Sequence, residues 1–383
     1  MKLFTKSLCF SLLAISGMLS AGCGSSDGTQ QEKKMQDKQI QQVTSTPSQD
    51  NSSLEILPTM QTPSQAANQL WVGTFQLVWN DFMDHLTKGP VVFLEGNALG
   101  YVEELNQQLF TKAELSAKDY YTKWGETSPT LKQEIEQAIK AKFGESSSLL
   151  EDLDWTAKKK KFVLYAMLKK NFQFIEKFDD MKTDSFRGSE RDVSYFGTNY
   201  EHPAIRVQFY NNEDDFAVTL TTKQGDLVHL YRTNAQGTLA QLYAKFSQEA
   251  QAYAGERAYT YEDVFKAPKL DFKSRTEFLQ LYDKPIKLPN PEEYAFIEKA
   301  LETIEFEMNE VGAKVESEAA MEVDEELGEP DSILEEWPGR RFLVTGPYAL
   351  FLEEPGKQPY LAMHITDAAK LQPGAMVKRR ARS

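Results

Sequence analysis

The sequence predicts an α+β fold, formed as one domain behind an exported N-terminus. Apolar residues recur at helical spacing after about residue 67, period-two runs take over after Ala157, and no internal repeat or second linker separates the two regions. With 383 residues, of which 41% are hydrophobic and 11% aromatic, the chain can bury a large core. Its net charge of −14 argues against a nucleic-acid partner, because binding phosphates needs a basic stripe. The only dense basic run is Lys378-Arg379-Arg380-Ala381-Arg382, in a tail (373–383) that reads as a solvated end.

Residues 1–22 read as an export signal. Lys2 and Lys6 precede an apolar run from Leu8 to Leu19 that is too short to span a bilayer, and small residues follow it. The closing Leu19-Ser20-Ala21-Gly22-Cys23 resembles a bacterial lipobox, in which the cysteine becomes the first mature residue and carries the lipid. That resemblance implies lipid attachment at Cys23 and a cell-membrane location facing outside the cytoplasm; an ordinary secretory signal with a chance cysteine is the alternative. Residues 23–66, mostly Gln, Ser, Thr, Asp, Lys and Pro, bury too little to offset their ordering entropy and read as a disordered tether. The domain is expected over 67–372. Cys9 and Cys23 are the only cysteines, so the domain can hold no disulfide, thiolate metal site or cysteine nucleophile.

Along the domain, Trp71, Phe75, Val78 and Phe82 keep helical spacing, as do Leu131, Ile135, Ile139 and Phe143, which predicts a helical N-terminal half. Residues 216–231 hold two β-rich runs around Lys223-Gln224-Gly225-Asp226, a hairpin. Leu239, Leu242, Tyr243 and Phe246 then mark a helix. Ile304, Phe306 and Met308 alternate with Glu305 and Glu307 in a half-buried strand, and Arg341 to Glu353 and Tyr360 to Ile365 are the last strands, joined through Pro355-Gly356.

Catalytic signatures are missing. There is no phosphate-cradling glycine loop, no Gly-x-Ser-x-Gly elbow and no His-Glu-x-x-His pair. His85, His202, His229 and His364 stand singly, without the partners that a metal ligand or general base needs. A protein that is not an enzyme, without metal or cofactor and acting as a monomer, is expected.

The informative stretch runs from Asn309 to Val323. After Gly312, small or apolar residues occupy 313, 315, 317, 319, 321 and 323, with Lys314, Glu316, Glu318 and Glu322 between them, the period of a strand with one face on a core. The following Asp324-Glu325-Glu326-Leu327-Gly328-Glu329-Pro330-Asp331 lacks that pattern and reads as an exposed acidic loop.

Asn309-Glu310-Val311-Gly312-Ala313 and the small alternating residues after it resemble the hinge of the serpins, protease inhibitors whose reactive loop inserts into a sheet after cleavage. Phe296 to Met308 lines up without a gap on the strand before that hinge. Phe342 with Pro347-Tyr348, the strand 360–364, Pro268 to Lys273 with its following helix, and Ala166, Phe174 and Phe178 keep the family's order. The departures are His364 in place of a closing glycine, charges within the hinge, trimmed helices over 98–160, and Val91-Val92-Phe93-Leu94-Glu95-Gly96-Asn97 where the family carries Ser-Pro-x-Ser beneath the opening sheet.

The resemblance implies a serpin-like α+β fold with large mixed and antiparallel sheets and an exposed reactive-type loop. Its hinge would comprise Glu310, Gly312, Ala313, Val315, Ser317 and Ala319, and its partner would be a serine or cysteine protease. The family's spacing from Gly312 puts the bait bond at Glu326-Leu327. Three other readings stand beside it: a serpin-fold envelope lipoprotein that binds without inhibiting, an unrelated α+β solute-binding or adhesion lipoprotein in which the stretch after Gly312 is an edge strand with a long loop, and a hydrolase with dispersed catalytic residues.

Overall fold

The computed structural model describes residues 54–94, 100–144, 150, 153–314 and 339–373. Three sheets arise from the period-two runs. The first is antiparallel apart from one edge and follows the order β1 (Glu55–Ile56), β2 (Asn68–Val72), β18 (Pro359–Ile365), β17 (Tyr348–Glu353), β10 (Leu227–Arg232), β9 (Asp215–Thr221), β8 (Ile205–Asn212). A small sheet holds β16 (Arg341–Leu343), β11 (Val264–Pro268), β7 (Val193–Thr198) and β6 (Asp179–Asp184). The third, mixed sheet runs β3 (Tyr120–Glu126), β4 (Lys161–Leu168), β14 (Tyr294–Met308), β15 (Gly312–Lys314), β5 (Phe172–Gln173), with β12 (Leu270–Glu277) and β13 (Pro285–Lys287) also paired to β14.

The β9–β10 hairpin forms where expected, with Gly225 at φ +92° in the turn, a conformation that needs glycine. The last two strands pair antiparallel around Gly356 at φ +75°. The predicted run from Arg341 to Glu353 divides instead into β16 and β17, which belong to different sheets.

Among the described residues the main helices are α1 (Thr74–Phe82), α2 (Gly100–Leu105), α3 (Pro129–Phe143) and α4 (Leu239–Ala252). The chain before β4 is thus less helical than its spacing predicts. Trp71 lies in β2, and α1 begins only after Gly73, because Trp71 is held by backbone pairing to Ala362. Beyond β12, Leu279–Leu281 makes a single 3-10 turn where a helix was expected. Local signals set α3: the Ser128 hydroxyl accepts from the Leu131 amide at 3.1 Å, Pro129 opens the first turn, and Gly144 closes the helix at φ +80°. At α4, Thr238 and Gln241 form a reciprocal capping box.

The folded body begins by residue 54 rather than 67. Leu57 is 1% exposed, its amide donates to the Leu70 carbonyl at 2.7 Å, and the Ala240 amide donates to the Met60 carbonyl. Leu54, Ile56, Leu57 and Met60 form a short apolar cluster inside a polar stretch, and averaging over that stretch concealed them.

One buried polar group ties the sheets together, and a second sits without a hydrogen-bond partner among the described residues. Lys170, 4% exposed between β4 and β5, reaches Asp226 at 2.5 Å, Glu354 at 2.9 Å and Asp119 at 3.4 Å, and lies over the Tyr360 ring. Burial alone would pull its ammonium down, but the carboxylates around it hold it above its ordinary value. His364, 1% exposed on β18, has both ring nitrogens buried without a hydrogen-bond partner among the described residues, and burial lowers its pKa. The unfolded chain therefore binds this proton more readily, and stability is lost as pH falls below the ordinary imidazole value near 6.5. His364→Phe is expected to lose less melting temperature than the parent between pH 7.5 and 5.5, as calorimetry at both values would read.

Candidate functional site

β14 ends in a turn that reverses the chain onto itself. The Asn309 side-chain oxygen accepts from the amides of Val311 at 2.9 Å and Gly312 at 3.3 Å, and the Asn309 amide donates to the Gly312 carbonyl at 2.8 Å. Glu310 anchors the turn sideways. Its carboxylate lies 2.6 Å from the Lys269 ammonium, which also reaches Asp180 at 2.9 Å. Burial pushes the Glu310 carboxyl up, and the Lys269 ammonium overcomes that and holds it below the usual range.

After the turn, β15 slots between two strands. It pairs antiparallel with β14 through Met308↔Ala313 and Glu307↔Lys314, and antiparallel with β5 through Gly312↔Gln173 and Ala313↔Phe172. Gly312 is there because nothing larger fits: a β-carbon would collide with the Phe172 carbonyl oxygen and sit 2.7 Å from Gln173 Cα. Aromatic rings floor this end. Phe174 meets Phe178 at 5.0 Å and Phe196 at 5.9 Å, Phe178 stacks on His202 at 4.0 Å, and the Phe174 and Phe178 amides donate to the carbonyls of Val311 and Glu310.

Below the slot the sheet is closed. β4 and β14 pair directly and in parallel from Phe296↔Lys161 to Ile304↔Leu168, with a bulge between Ile297 and Lys299. β15 runs antiparallel to β14, so a chain continuing past Lys314 in register next meets Phe306, Glu305 and then Ile304, where Leu168 already sits. Further advance requires this seam to part.

Both faces of the seam are covered. On one, α3 lays Leu131, Ile135 and Ile139 against Val163, Tyr165, Met167 and Leu301, and the Tyr165 and Thr303 hydroxyls meet across the seam at 3.2 Å. On the other, the first turn of α1 donates to the Glu302 carboxylate from the Thr74 hydroxyl at 2.7 Å and the Phe75 amide at 3.1 Å. The hydroxyl beneath the seam is thus Thr74's. The stretch from Val91, which the resemblance aligned with the position beneath the sheet, pairs elsewhere, Phe93 bridging Ile286 and the Leu94 amide donating to the Pro285 carbonyl.

Of the predicted hinge residues, Glu310 and Gly312 take defined places and the backbone of Ala313 is in the slot. Val315, Ser317, Ala319, the bait bond Glu326-Leu327 and the lipid-bearing Cys23 lie outside the described residues. Sequence reasoning missed Lys269, Phe172, Tyr165, Thr303 and Glu302. None of them carried a distinguishing local signal; Glu302 is one of four glutamates in the same strand. A buried chain of Thr219, His229 and Glu353 also forms, with Thr219 to His229 Nδ1 at 2.7 Å and His229 Nε2 to Glu353 at 3.2 Å. Thr219 is 3% exposed beneath the α4 side of its sheet, where the set fastens the sheet through the Tyr243–Glu353 hydrogen bond and offers no reachable nucleophile.

No protein-family model matches the chain, and no curated protein matches it. Among solved structures it is similar to Serpin48 of the insect Tenebrio molitor, at 13% identity and TM-score 0.49, covering 79% of this chain and 92% of that one. It is also similar to the mouse protein-Z dependent protease inhibitor, at 10% identity and TM-score 0.47 over 79% and 91%, and to a serpin of the trematode Schistosoma haematobium, at 12% identity and TM-score 0.46 over 78% and 93%.

Gly312→Val is expected to expel β15 from the slot and destabilise the fold by about 1–3 kcal/mol. Denaturant unfolding, together with faster hydrogen exchange at the amides of Phe174 and Phe178, would register it.

Proposed function

We propose that the chain is a membrane-tethered, serpin-like inhibitor of serine or cysteine proteases that works by loop cleavage and sheet insertion. The observation that carries this reading is the start of an inserted strand, β15, held between β14 and β5 directly above a seam that is still closed.

In this reading the protease nucleophile attacks the Glu326 carbonyl carbon, the bond to the Leu327 nitrogen breaks, and that nitrogen leaves with a proton as a free amine. The acyl-enzyme stays joined to residues 313–326. Once cut, that arm can run down the seam. Insertion replaces one β4·β14 ladder with two new ladders, each added hydrogen bond contributing about 0.5–1.5 kcal/mol. Burying Val315, Met321 and Val323 adds about 1.5–3 kcal/mol each, while Lys314, Glu316 and Glu318 alternate onto the other face. The attached protease is carried away before water can deacylate it. Lipid at Cys23 and the polar stretch after it would hold the inhibitor at the membrane surface.

Incubating the full chain with a glutamate-specific protease and a broad panel tests this. An SDS-stable adduct and a melting temperature raised by tens of degrees after nicking are expected. A raised melting temperature with no adduct would instead favour the non-inhibitory binding protein. Cleavage in the loop with neither outcome rejects insertion altogether.

A further inference from the structure

Insertion needs the β4·β14 seam to part, and midway along that seam sits a carboxyl with no charged partner among the described residues. Glu302 on β14 is 0% exposed. Its Oε1 accepts both donors from the first turn of α1, while its Oε2 is buried without a hydrogen-bond partner among the described residues. The residues opposite it across the ladders are Ala166 of β4 and Thr276 of β12, and Thr74 and Phe75 face it from α1. None of these ionises.

We propose that Glu302 is a proton-operated latch on the seam: as a neutral acid it stays buried between β14 and α1 at little cost, and loss of its proton leaves a dry carboxylate there and favours parting of β14 from β4. This rests on the insertion reading for its consequence, though not for its chemistry.

A carboxylate with no cation at hand and one oxygen dry is costly to bury. Burial raises the Glu302 pKa to about 8 against the pull of its two hydrogen bonds, with no charged side chain acting on it. When the seam opens, water reaches the carboxyl and its pKa returns toward the ordinary range near 4.5. Between those values opening releases one proton, so each unit of rising pH favours the open seam by up to about tenfold; above pH 8 the gain stops. The protein would be restrained in mildly acidic surroundings and primed in mildly alkaline ones.

Hydrogen exchange on the full chain, corrected for the chemical exchange rate at each pH, tests the latch at the amides of residues 162–168 and 297–304. Protection is expected to fall with pH, by up to tenfold per unit from pH 6 to 8, and then level. Glu302→Gln keeps an oxygen for both donors but cannot ionise, and its profile should be flat. Should that variant fold poorly, Thr74→Val retains the acid with one donor fewer, and its levelling point should move to higher pH. A flat parent profile, an unchanged slope in Glu302→Gln, or an unmoved levelling point in Thr74→Val overturns the proposal. Exchange reads the latch without any cleavage: a sloping profile in a protein that gains nothing on nicking rejects insertion and leaves the latch. Stabilisation on nicking with a flat profile does the reverse.

Discussion

A strand has two hydrogen-bonding edges, and the edge of β14 that faces β4 can be used once. Along most of its length it is given to β4; at its last residues it is given to β15. The other edge is given to β12 from Leu301 to Met308 and to β13 from Tyr294 to Phe296. Every other part of the functional architecture follows from that allocation. The Asn309 turn aims the chain back at the shared edge, Gly312 lets it approach closely enough to pair, and α1 and α3 hold the two faces of the sheet against which any exchange of partners must work.

The polar groups along this edge have unequal parts. Glu310 and Lys269 are a partly buried pair whose charges satisfy one another, so they fix the turn without strongly favouring either partner of β14. Tyr165 and Thr303 bridge the seam itself and stabilise only its closed form. Glu302 differs from both, since its attachment runs to a helix in the next layer and its worth depends on whether the carboxyl is neutral.

Much of this could be read from the chain. The α+β class, the β9–β10 hairpin, α4, and the strand leading to Gly312 followed from periodicity and turn residues, which are local properties. Trp71 misled because a spacing of four residues suits a helix equally well when the first member belongs to a preceding strand. The seam was not legible at all. Neither the parallel pairing of β4 with β14, more than a hundred residues apart, nor the meeting of Tyr165 with Thr303 leaves any trace in local spacing. Gly312 was found as a motif, but its reason, the backbone of Phe172 directly beneath it, exists only in three dimensions.

Lys170 bears on how a change of partners would proceed. It nails the link between β4 and β5 to three carboxylates, two of them on the β9–β10 and β17–β18 connections. At that end β5 already stands one strand's width from β14, with β15 filling the gap. On the insertion reading the cut would thus be ready-made with its lip held open, and the rearrangement would resemble a zip drawn from its top stop, resistance being met one rung at a time, rather than two halves wrenched apart.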